Sequence, residues 1–366
     1  MASAGILASA LTQYNGAVLD VRKLLFDAIL EPDSLGKLCK IMPRQKHGEK
    51  LGLIGEFGLV GKAAQGCNPT YGTDAISARE LEWDIKPWGI YEKICYEDLE
   101  TTLLTYLLNK KTNIGDLTSG EIYAQYVAGI VYPRLKVAIE KMLIRFAWFG
   151  DKNADTNTNG GNLKDTVDKD YFTLIDGFWK RLITIATATP AVRTTIAANA
   201  ETTNAGQKAA IATAGVATGI FDSLIANASP VLRAASNKVI YCTLALKDAL
   251  DADIRNNNKG SDLQWESIFA GIQEATYNGI TLRAVPIFDE IIDSYYNVDT
   301  SGTSSRYLPY RAVFTTDDNL LVGLESDSEV EDVQIFYNPE TEINTIKAKD
   351  KVGTLIRQNN LVSVAY

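Results

Sequence analysis

The feature that most constrains this chain is the stretch of residues 118–150, TSGEIYAQYVAGIVYPRLKVAIEKMLIRFAWFG. Thr118 and Glu121 have the spacing of a capping box, in which a hydroxyl and a carboxylate satisfy the backbone amides that begin a helix. Gly150 follows the last aromatic residue and predicts the helix end. At about 1.5 Å per residue the segment predicts a rod about 46 Å long, with a kink or a break at Pro133.

One wide apolar face runs along this predicted helix at three- and four-residue steps. Its members are Ile122, Tyr126, Val127, Ile130, Val131, Leu135, Ala138, Ile139, Met142, Leu143 and Phe146. Polar side chains are predicted on the rest of the circumference: Glu121, Gln125, Arg134, Glu140, Lys141 and Arg145. Because these charges interrupt every apolar run of about twenty residues, the segment does not have the pattern of a membrane span. We expect a beam on which other elements pack.

The composition is that of a globular protein with two or three lobes. The chain has 366 residues, of which 46% are hydrophobic and 22% are charged. Its net charge of −9 argues against a dedicated nucleic-acid binder that reads phosphates through a basic surface. Residues 1–16 have no basic region before their short apolar run, so no signal peptide is expected.

Cysteine and histidine usage limits the chemistry. Cys39, Cys67, Cys95 and Cys242 include no C-x-x-C pair, and His47 is the single histidine. Structural zinc needs paired thiolates or imidazoles, so we expect no metal site and interpret the cysteines as reduced, buried hydrophobes. Neither a nucleophile triad nor a nucleotide loop is found at a specific spacing, and no catalytic residue or cofactor is expected. The five tryptophans are expected to anchor the core or an interface.

Residues 50–96 predict a long hairpin. A first strand carries Gly52, Gly55, Gly58 and Gly61, and a second strand resumes over residues 79–96 with Leu81, Trp83 and Ile85 alternating. Glycines in a strand permit bends and close backbone approach. The hairpin contains too little apolar surface to fold alone, so we expect it to pack on another element or on another subunit.

The polar loop at residues 151–170 begins like a calcium-binding loop but does not continue as one. Asp151, Asn153 and Asp155 have the spacing of the first ligands of an EF-hand, but Thr156 stands where that loop needs glycine and Asn162 where it needs glutamate. A surface excursion is therefore expected.

The remaining segments predict a mixed α/β region followed by an all-β one. Residues 2–30 predict a helix or an extended arm, further helices are predicted at 98–108, 171–188, 204–226, 244–256 and 265–274, and strands at 238–243 and 279–288. From Arg311 onward only strands are predicted, beginning with a hairpin around Asp317 and Asp318 and ending with two strands over residues 343–366. Ten acidic residues between Asp317 and Asp350 face only Lys347 and Lys349, which indicates an exposed face.

Three phrases resemble the major capsid proteins of tailed bacteriophages with the Hong Kong 97-type fold: KVIYCTLALKDALDADIRN at residues 238–256, TYNGITLRAVPIFDE at 276–290 and YRAVFTTDDNLLVGLE at 310–325. The order of elements along nearly the whole chain resembles that family as well. The resemblance implies an α+β capsid fold with an N-terminal arm (1–49), an extended loop (50–96), a peripheral domain with a spine helix (97–150 and about 325–353) and a mixed α/β axial domain (151–324 and about 354–366).

The resemblance further implies a structural shell protein rather than an enzyme. Its copies would assemble through hexamers and pentamers into an icosahedral capsid that encloses double-stranded DNA, touching that DNA weakly and non-specifically. Portal, scaffolding or decoration proteins would be partners, a membrane would not, and the protein would lie in the virion after assembly in the host bacterial cytoplasm. Three alternatives stay open: an encapsulin-type compartment shell, a calcium-dependent surface protein, and a hydrolase built on two carboxylates.

Overall fold

The computed structural model describes residues 35–57, 76–95, 132–156, 158, 161–256, 263–269, 271–296, 305–325, 333–338 and 343–366. Its helices are α1 (Tyr132–Phe149), α2 (Phe178–Ala188), α3 (Asn204–Ile211), α4 (Val216–Ala226), α5 (Pro230–Ala234), α6 (Leu244–Asn256) and α7 (Pro286–Tyr295). The strands are β1 (Lys40–Pro43), β2 (Lys50–Phe57), β3 (Ile76–Glu82), β4 (Lys86–Cys95), β5 (Arg193–Thr194), β6 (Lys238–Cys242), β7 (Glu266–Phe269), β8 (Ile272–Tyr277), β9 (Ile280–Ala284), β10 (Ala312–Thr316), β11 (Leu320–Glu325), β12 (Val333–Asn338), β13 (Ile343–Ile356) and β14 (Ser363–Ala365). The predicted α+β class is confirmed.

Helix α1 confirms the later half of the predicted beam and its end at Gly150. Ile139, Leu143 and Phe146 are buried as predicted. Two residues expected on the polar side differ from that expectation: Glu140 is buried, and Arg145 is half-buried. Arg145 takes this place because its guanidinium lies over the rings of nearby aromatic residues, which cover its flat faces. Residues 118–131 lie outside the described part, as do the segment at 2–30 and the predicted helix at 98–108.

A five-stranded sheet is built around β13, the longest strand described. On one side β13 pairs antiparallel with β11 and then with β12, and β1 joins β11 in parallel. On the other side β13 pairs antiparallel with β4 along ten residues, from Lys86 against Val352 to Cys95 against Ile343. The predicted hairpin over residues 50–96 is therefore wrong beyond Glu82, because the chain leaves β3 and enters this sheet instead.

A seven-stranded sheet has the order β5-β14-β10-β6-β9-β8-β7. It confirms the strand at residues 238–243, and α6 confirms the helix after it. The predicted helix at 265–274 is wrong: Gly271, at φ 79°, turns β7 back onto β8. The strand predicted over residues 279–288 ends at Ala284, because Pro286 begins α7.

The hairpin predicted around Asp317 and Asp318 is also wrong. Strand β10 pairs with β6 and β14, whereas β11 pairs with β1 and β13, so the turn carries the chain from one sheet into the other. The side chain of Asn319 fixes this turn by donating to the Thr315 hydroxyl and to the carbonyls of Gln358 and Leu361. A turn signal in the sequence marks the reversal and leaves the partner strands undetermined.

Two predicted helices are shorter or divided. The helix predicted at residues 171–188 begins only at Phe178, after Gly177. The helix predicted at residues 204–226 is broken at Gly215, whose φ of 82° is left-handed, and α3 and α4 meet at 75°. Among the described residues no single helix is long and apolar enough to cross a membrane; only α3 and α4 counted together, as a bent pair, reach that length and composition.

One continuous cluster of buried side chains connects α1 with both large sheets. Trp148 stands at its centre, with Phe178, Trp179, Tyr241 and Phe288 packed around its ring at centroid distances between 4.7 and 5.5 Å. The backbones of α1 and α2 meet where the Gly177 amide donates to the Gly150 carbonyl at 2.7 Å. Trp83, Trp88, Trp148 and Trp179 are buried, which confirms their prediction as anchors.

Candidate assembly arm and its anchored base

Strands β2 and β3 form a two-stranded sheet of their own, which we call the arm. Lys50 pairs with Glu82 at one end and Phe57 with Ile76 at the other, so the hairpin is confirmed over this range. Neither strand pairs with a strand of the two larger sheets in the part of the chain that the structure describes. Leu51, Leu53 and Leu81 are partly exposed, and of these Leu51 and Leu81 also pack against the cluster around Trp83 at the base. The arm thus presents partly exposed leucines on a thin ribbon.

The base of the arm is fixed by Trp83, which follows β3 directly. Its amide donates to the Glu49 carbonyl, and its carbonyl accepts from the Gly48 amide, both at 2.9 Å. The indole is 1% exposed and packs with Ile85, Leu321 and Leu355. A β-carbon added at Gly323 would come within 2.8 Å of that indole. Only glycine at this position therefore lets the backbone of β11 lie so close to the ring. The ribbon therefore leaves the five-stranded sheet at a defined place.

Asp84 adds an electrostatic tie at the same base. Lys152, just beyond the end of α1, donates to its carboxylate, and Lys86 lies 3.3 Å away. Burial acts to raise the pKa of Asp84, but hydrogen bonds and charge from the two lysines outweigh it and hold that pKa below its usual value. The carboxylate therefore stays ionised at neutral pH and connects arm, sheet and helix.

His47 lies at this base, beside Asp84. Its Nδ1 is 3.8 Å from a carboxylate oxygen of Asp84, and its side chain is 59% exposed, as expected for a loop residue. Cys39 and Cys242 are free, buried thiols, and burial raises the pKa of both, so they remain protonated. This confirms the interpretation of these two cysteines as buried hydrophobes.

The acidic residues of the loop after α1 are engaged by groups of the chain itself. Asp151 accepts from the Asn153 amide at 2.9 Å and from the Lys180 ammonium at 3.1 Å. Asp155 accepts from the Thr156 amide at 2.8 Å. In the described residues no group of three or more histidine, cysteine, aspartate or glutamate side chains is placed to hold a metal ion. The absence of a tight calcium site stays a prediction.

The link at residues 83–85, the ion pairs of Asp84 and the pairing of β4 with β13 are not predicted by the sequence. The alternation of Leu81, Trp83 and Ile85 predicts one continuous strand, whereas residues 83–85 form a link that turns the chain into β4. Asp84 had no motif around it, because its partners Lys86 and Lys152 come from separate parts of the chain. The charged pattern K-A-K-D-K of β13 lies at the end of the acidic region, and the sequence gives no sign of its partner strand β4.

Comparison with known proteins gives likenesses in structure only. No protein-family model and no curated protein matches the chain. Among solved structures, the satellite phage P4 procapsid that includes size determination (Sid) protein matches at 12% identity and a TM-score of 0.44, covering 89% of this chain and 92% of that chain. A structure of Mycobacterium phage Ogopogo matches at 8% identity and a TM-score of 0.47, covering 91% of each chain. The capsid of an empty GTA particle matches at 10% identity and a TM-score of 0.46, covering 91% of this chain and 88% of that chain.

Proposed function

We propose that the protein is a shell-forming structural subunit, of the Hong Kong 97 type of phage major capsid protein, whose copies contact one another through the arm. The single observation that carries this proposal is the arm itself: a separate two-stranded ribbon held at a buried, ion-paired base. A ribbon of two strands is marginally stable by itself in water, so it needs a surface to pack on. A neighbouring copy supplies such a surface at every symmetry-related position.

The construction of the base supports this role. Trp83 and Asp84 set the direction of the ribbon, while the ribbon makes no strand pairs with the body of its own subunit in the described residues. Chemically identical subunits in a closed shell occupy slightly different environments, which favours a contact element that adapts independently of the folded body. Leu53, which is half-buried and lies outside the Trp83 cluster, gives that element apolar area for a partner to cover.

We assign the lobes on the same proposal. The peripheral domain would consist of α1 and the five-stranded sheet, and the axial domain of the seven-stranded sheet with α2 to α7. Because β1 and β11 pair within the five-stranded sheet, we assign both to the proposed peripheral domain, which differs from the assignment that the resemblance implies.

The finer proposals concern the assembly. Copies would form hexamers and pentamers, these would close into an icosahedral shell, and the shell would enclose double-stranded DNA with weak, non-specific contacts. Portal, scaffolding or decoration proteins would complete the particle. The protein would reside in the virion after assembly in the host cytoplasm. A net charge of −9 is compatible with this, because tight phosphate binding would hinder packaging and release.

The test removes the arm and keeps its base. Replacing residues 53–79 by a short Gly/Ser turn retains the pairs from Lys50–Glu82 to Gly52–Glu80 and the whole Trp83 cluster. We expect a folded subunit with a melting temperature within a few degrees of the unmodified chain, because the described strands of the ribbon pair only with each other. Closed shells or rings, seen by negative-stain microscopy for the unmodified chain, should be lost. An unfolded variant, or one that still forms shells, would refute the proposal.

A further inference from the structure

The outer face of the β4–β13 pair differs in charge from the rest of the chain. Side chains alternate between the two faces of a strand. Trp88, Ile346, Ala348 and Val352 point into the core. The opposite face carries Pro87, Gly89, Tyr91 and Lys93 of β4 and Thr345, Lys347, Lys349 and Lys351 of β13. We call this second set the lysine face.

The lysine face has a charge opposite to that of the chain. Four of its eight residues are lysines and none is acidic, although the whole chain has 45 acidic and 36 basic residues. Lys347, Lys349 and Lys351 follow one another at every second position, about 6.8 Å apart along the strand. At the margin of this face, Glu325 of β11 pairs with Lys351.

Tyr91 gives this face an aromatic centre. It is 63% exposed and is paired across the strands with Lys347. A β-carbon at Gly89 would lie 2.7 Å from the Tyr91 ring, so glycine lets the ring lie along the sheet. An exposed tyrosine surrounded by charged side chains is the composition of a protein–protein contact, in which an aromatic residue anchors and polar groups form the rim.

We propose that the lysine face binds an acidic surface of a second copy of this chain. The inference rests on the proposed function and names the chemistry of one contact in the shell. Copies with a net charge of −9 repel one another on average, so a local patch of opposite sign is needed to orient them. The face is also continuous with the base of the arm, since β4 follows Trp83 and Asp84 directly. A patch of four lysines around an aromatic residue is small for a duplex, and DNA binding is an outcome of the test.

The test reverses two charges and compares the result with an equal reversal elsewhere. The variant K347E/K349E changes the lysine face, and K169E/K208E gives the same change in net charge at two exposed lysines far from it in sequence. K347Q/K349Q removes the charge more mildly, in case the reversal impairs folding. Thermal melts establish that each subunit is folded. Light scattering then gives the subunit concentration at half-assembly, at low and at high salt.

We expect K347E/K349E to raise that concentration at least tenfold over K169E/K208E, and K347Q/K349Q to raise it less. The dependence on salt should be weaker in K347Q/K349Q, because salt screens charge pairs that this variant no longer makes. In K347E/K349E added salt should favour assembly, because it screens the new repulsion between carboxylates. Carbodiimide cross-linking of mixed 14N- and 15N-labelled chains should connect Lys347 or Lys349 to carboxylates of the other isotope.

Three outcomes would overturn this inference alone: half-assembly equal to that of the control, cross-links only within one chain, or unchanged assembly with loss of binding to a short DNA duplex in an anisotropy titration. If the unmodified chain never assembles, the proposed function and the inference fail together.

Discussion

The contact between Gly150 and Gly177 allows a sharp test of how α1 is joined to α2. A β-carbon at Gly177 would lie 2.7 Å from the Gly150 nitrogen and 2.9 Å from the Ala147 oxygen and the Trp148 carbonyl carbon. All three are backbone atoms, two in the last turn of α1 and one in the residue that follows it, so no side-chain rotation relieves the clash. The φ of −75° at Gly177 suits alanine equally well, which leaves the steric effect isolated.

The magnitude follows from two opposing effects. Overpacking a well-packed site costs about 1–3 kcal/mol, and three simultaneous backbone contacts place Gly177→Ala at the upper end. Reduced freedom of the unfolded chain returns about 0.5–1 kcal/mol. We therefore expect a loss of about 2 kcal/mol, a large share of the roughly 5–15 kcal/mol that holds a protein folded. The matched control is Gly219→Ala in α4, where nothing lies within 4 Å of the added carbon and a gain of about 0.5–1 kcal/mol is expected.

Urea unfolding of unassembled subunits, followed by tryptophan fluorescence, measures both variants. The slopes of the transitions should agree with that of the unmodified chain, so that the midpoints report stability. A Gly177→Ala subunit as stable as the unmodified one, or a Gly219→Ala subunit destabilised to the same extent, would refute the assigned packing.

Three further predictions use other parts of the molecule. Leu143, 0% exposed in α1, should not tolerate aspartate: Leu143→Asp should cost several kcal/mol, and a soluble variant with a normal melt would contradict the assigned face. Burial raises the pKa of Asp289 to about 6, against hydrogen bonds from the Leu244 and Ala245 amides that lower it. Asp289 thus holds its proton more tightly in the folded chain, so its contribution to stability is full below about pH 4 and is lost as the pH rises through 6. Unfolding titrations should show this fall, on the order of 2–3 kcal/mol, and Asp289→Asn should flatten it; equal slopes in both chains would exclude the assignment. Thermal melts in calcium and in chelator should coincide, because Thr156 and Asn162 replace the glycine and the glutamate that a calcium loop needs. A large calcium-dependent shift of the melting temperature would contradict the predicted absence of a tight calcium site.

Sequence periodicity predicted those elements whose information is local. Helix α6 and strand β6 were predicted almost to the residue, because a buried five-residue strand and a regular apolar spacing need no distant partner to be recognised. The end of α1 at Gly150 was predicted for the same reason.

Pairing between distant strands could not be predicted in this way. The sequence of β4 contains no feature that identifies β13 as its partner. The turn residues Asp317 and Asp318 are compatible both with strands that pair with each other and with strands that enter two different sheets. The burial of Arg311 could not be predicted either, for a different reason. It is fully buried, with its guanidinium between 5.3 and 5.9 Å from the rings of Phe149, Trp179, Tyr296 and Tyr307. Only the assembled core supplies that aromatic cage, so a charged residue in the sequence gives no sign of it.

The pairing of the two large sheets has a consequence for how the subunit folds. Lys40 of β1 pairs with Leu321 of β11, Lys86 of β4 with Val352 of β13, and Arg193 of β5 with Val364 of β14. Each sheet therefore cannot be completed until strands far along the chain have been synthesised. Contacts between such distant residues form slowly, because large loops must close first. Until residues 343–366 have been made, β4 and β10 lack a neighbour and expose strand edges, and exposed edges of this kind favour aggregation of the incomplete chain.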